Sequence, residues 1–200
     1  MEGGLDAVKE LERQQLGGRN MAKREVVILG IGLHKFGRFP EERPEDLGRE
    51  AGLSALKDAG VHFKDIEAGF CAHVYQPMGK GVGTFNEIGQ TGIPITNVEV
   101  ACLSSARALA LAADAIAGGI YEMCLVIGLE KMQKGMITLQ GPEKSYEETM
   151  GIVNFPVRYA LRARRHMHLY GTKREHFAYV SVKAHRNAML NPYAHYQVQL

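Results

Sequence analysis

The sequence predicts an α/β protein built around a largely parallel sheet. Three observations carry that prediction. Short apolar runs rich in β-branched residues recur along the first 130 residues. Segments of helical periodicity separate them, and that alternation implies βα units. Glycine is frequent, at 23 of 200 residues, which suits the tight turns between strands and helices.

The elements follow in order. Glu25–Ile31 (EVVILGI) reads as a buried strand ending in glycines. Arg43-Pro44-Glu45-Asp46 opens a helix, with proline early and acids in its first turn. Leu47, Ala51, Ala55 and Ala59 mark its expected buried stripe, and Gly60 its stop. Asp65–Glu67 is a turn, and Ala68–Tyr75 (AGFCAHVY) a second strand. The Gly-rich stretch Met78–Gly92 contains Thr84-Phe85-Asn86-Glu87, whose spacing is that of a capping box, so a short helix is expected to begin there. Pro94–Val100 (PITNVEV) is a third strand, Leu103–Ala117 an Ala- and Leu-rich helix closed by Gly118-Gly119, and Met123–Gly128 (MCLVIG) a fourth strand.

Beyond residue 130 the character changes. Glu130–Gly151 is polar and irregular. Pro156 opens a basic helix reaching about His168, and Thr172-Lys173-Arg174-Glu175 opens another, with Phe177, Val180, Ala184 and Ala188 on one face. The expected organisation is an extension over 1–22, a core over 23–130 and a loop or lid region over 131–200. Leu5, Val8 and Leu11 allow a short amphipathic helix in the extension, which otherwise reads as a mobile tail.

Composition excludes several classes. A formal net charge of +2 gives no global signature for nucleic acid or an anionic membrane. No apolar run approaches the ~18 residues needed to span a bilayer. Three cysteines without a CxxC pair make neither a disulfide framework nor a zinc site, so no metal is expected. With no secretory signal, the odd cysteine count fits a reducing cytoplasm.

Chemistry concentrates at Asn97-Val98-Glu99-Val100-Ala101-Cys102-Leu103-Ser104-Ser105-Ala106, where a cysteine stands between strand and helix. The first-turn N–H groups of a helix lack partners, and its dipole adds partial positive charge. Both favour a thiolate and can receive an oxyanion. The following helix is apolar nearly all round, which predicts burial on every side. Spacing alone leaves two readings of Cys102, an activated nucleophile or one more small buried residue. Cys71 and Cys124 lie inside apolar strands and read as core filler.

The run Ile93–Glu99 through Cys102, then Gly118-Gly119 and Leu125–Met132, resembles thiolases, most of all the sterol-carrier-type and archaeal branches. Gly32–Gly37, Ala59-Gly60, Tyr170–Lys173 and Asn191–Ala194 extend the likeness over about residues 25–200. The resemblance implies a layered α/β/α/β/α fold made of two similar halves. This chain would supply the amino-terminal half with its loop-domain insertion. It implies that Cys102 accepts an acyl group from an acyl-CoA and passes it to CoA or to a carbanion. CoA would be a co-substrate, with no permanently bound cofactor. It also implies a homodimer or higher oligomer and, for some relatives, a separate zinc-ribbon/OB-fold accessory protein. Family chains are roughly twice this length, and their catalytic histidines and second cysteine fall in the other half. Related aldolases or lyases acting on acyl-CoA side chains, and non-catalytic subunits, are alternatives. Arg107 departs from the small residues usual after the nucleophile. It is expected to pair with Asp114, or else to meet an acidic substrate group or a neighbouring subunit.

Other motifs are weaker. Gly79-Lys80-Gly81-Val82-Gly83-Thr84 follows a strand but has Thr84 where a dinucleotide fingerprint needs glycine. A flexible loop over the site or at a dimer contact is the expected reading. Arg158, Arg162, Arg164, Arg165, Lys173 and Arg174 form a basic run without an intervening acid. Arg162, Arg164 and Arg165 are candidates for CoA phosphates, or for a solvated helix face. His34, His73, His185 and His195 have no partner visible in the sequence and read as structural or surface residues. His166 and His168 lie on different helix faces.

Overall fold

The computed structural model describes residues 24–135, 146–152 and 154–200. The extension over 1–22 and its amphipathic pattern lie outside the described residues. Contacts divide the chain into two units, one of Met1–Leu33 with Glu41–Glu130 and one of His34–Pro40 with Lys131–Leu200.

The first unit is a parallel sheet with helices on both faces. Helix α1 (Pro44–Ala59) starts at the expected proline. The Arg43 N–H donates to Asp46 Oδ2 at 3.3 Å, and Gly60 ends the helix at φ 69°. A 3-10 turn (Phe63–Asp65) leads into β1 (Ala68–Ala72), all five residues buried. Helix α2 (Lys80–Ile88), β2 (Ile95–Val98), α3 (Ser104–Ala117) and β3 (Cys124–Gly128) follow. The strand order is β2-β1-β3, with both pairings parallel, as the alternation of strands and helices predicts.

One face of the sheet packs Cys71, Leu125, Ile127 and Leu129 against Leu56 of α1 and Phe85 of α2. The other packs Ala68, Phe70, Ala72 and Val98 against Ala108 and Ala112 of α3.

Four expectations are corrected. Glu25–Ile31 is not a sheet strand: no ladder partner stands beside it among the described residues. It lies along α1 instead, where a Cβ on Gly30 would meet Ala55 O at 2.5 Å, and the Ile31 N–H donates to Asp58 Oδ2 at 2.9 Å. Its apolar side chains stay open, Ile28 being 71% exposed. The buried stripe of α1 is Gly48, Gly52 and Leu56, one residue on from the expected set. Leu47, Ala51, Ala55 and Ala59 are only half-buried. The reason is close approach: a Cβ on Gly48 would meet Thr84 Cγ2 at 2.6 Å, and one on Gly52 would meet Ile88 Cδ1 at 2.7 Å.

The Gly-rich stretch is helix α2 rather than a flexible loop, and it begins at Lys80, not at Thr84. Thr84 is fully buried, and its Oγ1 donates to Lys80 O at 2.8 Å instead of capping. Gly81 lets the helix lie on Cys71 and Asn97. Finally, α3 is not buried all round. Ser104, Ala108 and Ala112 are covered, while Leu103 is 64% and Leu109 49% exposed.

In the second unit, helices α4 (Tyr146–Thr149), α5 (Phe155–Tyr170) and α6 (Arg174–Ala188) have no buried residues. Thus α4 falls within the stretch expected to be irregular. The Asn154 side chain caps α5 by accepting from the Val157 N–H at 3.1 Å. The expected apolar face of α6 is open, with Val180 67% exposed. Phe36 N donates to Tyr193 O at 2.9 Å, fastening 34–40 to the end of this unit.

Candidate active site

Parallel strands bring their carboxyl ends to one edge, and in open α/β sheets ligands bind outside that edge. Ala72 is in register with Val98 on one side and with Gly128 on the other. The residues that leave this edge are therefore His73 after β1, Glu99–Cys102 after β2 and Leu129-Glu130 after β3.

The turn from β2 to α3 is sharp. Ala101 has φ 47°, the one non-glycine residue with positive φ among the described residues. That conformation costs an L-residue about 1–2 kcal/mol. Hydrogen bonds on every side hold it. The Ala101 N–H donates to Glu99 Oε1 at 2.6 Å. Ala101 O accepts from the Ser104 hydroxyl at 2.7 Å and from the Ser104 N–H at 3.1 Å. Ser104 Oγ in turn accepts from the Val100 N–H at 2.8 Å. Ser104 is only 4% exposed, so its share of this knot is shielded from competing water. The start of α3 also sits tightly on β3, because Gly128 has no Cβ to meet Ser105 Oγ.

Cys102 follows Ala101 directly and precedes Leu103, the N-cap of α3. It is exposed. The strained turn places Cys102 before the amino terminus of a 14-residue helix, whose dipole favours a developing oxyanion. The other two thiols are less exposed. Burial pushes Cys71 up to about 12, and burial with the Glu67 charge pushes Cys124 up to about 11. Both are held as inert thiols, as their strand positions predict.

Two further residues at this edge carried no functional expectation, His73 having read from the sequence as a structural or surface residue. Glu130 braces the loop leaving β1: its Oε2 accepts the N–H groups of Val74 at 2.8 Å and Tyr75 at 3.1 Å, and its Oε1 accepts from Gln76 Nε2. His73 is half-buried, and both its ring nitrogens are shielded without a hydrogen-bond partner among the described residues. The available signal was position, since each residue lies within two positions of the end of a strand.

Arg107 is exposed, and no ion pair joins it to Asp114 among the described residues. The expected internal pairing is therefore corrected. The two residues are seven positions apart, and an exposed arginine gains little from so long a reach. Arg162, Arg164 and Arg165 lie exposed on α5, in the second unit, with the Arg162 guanidinium 5.2 Å from the Tyr159 ring centroid. Arg158 is engaged with Glu147 Oε1 at 2.8 Å. Among the described residues no group of three or more His, Cys, Asp or Glu side chains is placed to hold a metal. No helix among them is long and apolar enough to cross a membrane.

A parallel sheet with helices on both faces, and a helix entered through a positive-φ turn at its carboxyl edge, define an open α/β protein. The family is more specific. The model of the thiolase amino-terminal domain matches residues 26–199, and the chain belongs to the thiolase family. The acetyl-CoA acetyltransferase of Methanothermobacter thermautotrophicus is 35% identical over 190 residues, covering 88% of this chain and 48% of that protein. Human sterol carrier protein 2 is 32% identical over 190 residues, covering 87% of this chain and 35% of that protein. Among solved structures, the Ltp2-ChsH2(DUF35) aldolase superposes with a TM-score of 0.70 at 26% identity, covering 86% of this chain and 46% of that one. The chain thus spans about half the length of the archaeal relative and about a third of the human one.

Proposed function

We propose that this chain carries the acyl-accepting half of a CoA-dependent acyltransferase of the thiolase type, with Cys102 as nucleophile. The observation that carries the reading is the exposed Cys102 between the positive-φ Ala101 and the amino terminus of α3. The Cys102 thiolate attacks the thioester carbonyl, the oxyanion is received by N–H groups of the first helical turn, and CoA leaves as its thiolate. A carbanion then takes the acyl group from the acyl-cysteine, which completes condensation. Cleavage runs the other way: the thiolate attacks the 3-oxo carbonyl of a 3-oxoacyl-CoA, and the C2–C3 bond breaks. The carbanion leaves and is protonated to the shorter acyl-CoA, and a CoA thiol takes the acyl group from Cys102. CoA is a co-substrate throughout. The archaeal relative named acetyl-CoA acetyltransferase supports this reading at 35% identity. Exposed Arg162, Arg164 and Arg165 suit the CoA phosphates. The proposed organisation keeps 23–130 as the catalytic core and 131–200 as a loop region. The assembly is a homodimer or higher oligomer.

A second reading, an aldolase or lyase acting on an acyl-CoA side chain, draws support from the likeness to the Ltp2-ChsH2(DUF35) aldolase. The two components named there also favour an accessory zinc-ribbon/OB-fold subunit for this reading. Kinetics of the full-length protein carrying Cys102→Ala separate the two. Loss of acyl transfer with the fold intact supports the thiolase reading, whereas retro-aldol cleavage that survives the substitution selects the lyase.

A further inference from the structure

His73 is a polar residue at the carboxyl edge that the proposed acyl transfer at Cys102 does not use. Both ring nitrogens are buried, and neither has a hydrogen-bond partner among the described residues. A buried polar group left unpaired costs about 1–3 kcal/mol, so such groups point to a partner that arrives later. The ring is not adrift, because its backbone is pinned on both sides. The His73 N–H donates to Val98 O at 3.4 Å, and Glu130 takes up the next two N–H groups. Ala72 pairs with Val98, so His73 stands level with Glu99, three residues before Cys102. Strand alternation continues from Gly69 and Cys71 to His73, on the α1–α2 side of the sheet, while Cys102 opens the helix on the other side. A chain attached at Cys102 that crosses the edge by one or two strand spacings, on the order of 5–10 Å, therefore reaches the imidazole.

Resting on the acyl-cysteine reading of Cys102, we propose that His73 is a specificity-determining residue that hydrogen-bonds a hydroxyl on the acyl chain of the substrate, with Glu130 as its positioning residue. An imidazole suits a hydroxyl because one ring nitrogen donates and the other accepts. An unsubstituted chain leaves both nitrogens unpaired, and that difference amounts to discrimination.

The test is calorimetric binding of octanoyl-CoA and its hydroxy isomers, substituted singly from C3 to C8, to the full-length protein and to its His73→Phe and His73→Gln variants. The expected result is that one isomer binds the unsubstituted protein about tenfold more tightly than octanoyl-CoA, the ratio one hydrogen bond supports. His73→Phe brings that ratio to near one, and His73→Gln recovers part of it. If His73→Phe does not fold, a ratio lowered in His73→Gln carries the same conclusion. The proposal is overturned if no hydroxy isomer is preferred, if the preference persists in the variants, or if all ligands weaken equally. Intact mass measured on the same samples reads acylation of Cys102 separately, so a missing adduct counts against the nucleophile and leaves the binding ratio to judge His73.

Discussion

The two faces of the sheet are built to different standards. On the α1–α2 side, large side chains meet glycines: Phe85 is fully buried, and Gly48, Gly52, Gly69 and Gly81 let the helices and sheet close on one another. On the α3 side, small side chains meet one helix. Ala108 and Ala112 seat it with Leu111 and Ala115 beside them, while Leu103 and Leu109 stay open. The closed face fixes the sheet. The open face carries the helix that Cys102 precedes.

That contrast sets the order of expected effects. Phe85→Ala on the closed face costs about 3–5 kcal/mol in urea unfolding, since its cavity cannot collapse between two helices and a strand. A cost near zero would mean that this face is loose. Separating Lys80 from Glu45 comes next. Their ion pair, 2.5 Å with the Glu45 side chain 12% exposed, joins the amino termini of α1 and α2. Burial raises the Glu45 carboxyl, but hydrogen bonding and charge from Lys80, with Arg43 beyond, outweigh it and leave the carboxyl below its ordinary 4.5. A lowered folded-state value contributes stability that is fully present above about pH 4.5 and is lost as pH falls through the folded value. Lys80→Met costs ~1–2 kcal/mol at neutral pH and flattens that acid-side loss. An unchanged acid limb would contradict the pairing. Leu109→Ala on the open face is the smallest change, within about 0.5 kcal/mol in this chain. A cost like that of Phe85→Ala would show the face covered in solution.

Much of this was legible in the sequence. Pro44 and Gly60 bracket α1 because a missing N–H and a left-handed turn act locally. The same holds for the basic helix and for Cys102, whose place between an apolar run and an Ala-rich helix defines the elbow. Features decided by distant packing were not legible. Glycines at 79, 81 and 83 lower helix propensity, and only contact with Cys71 and Asn97 shows why α2 forms there. Glu25–Ile31 has a strand's composition but no strand beside it. Ala101 gives no hint of a positive φ, because the hydrogen bonds that hold it come from Glu99 and Ser104. His73 reads as unremarkable until burial leaves its two nitrogens unpaired.

Intact-protein mass spectrometry of the full-length protein mixed with an acyl-CoA, followed by peptide mapping, tests the central claim most directly. The account predicts an acyl adduct on Cys102 that is absent in Cys102→Ser and never found on Cys71 or Cys124. An acyl adduct on another residue, or none on Cys102 while CoA binds, would contradict it.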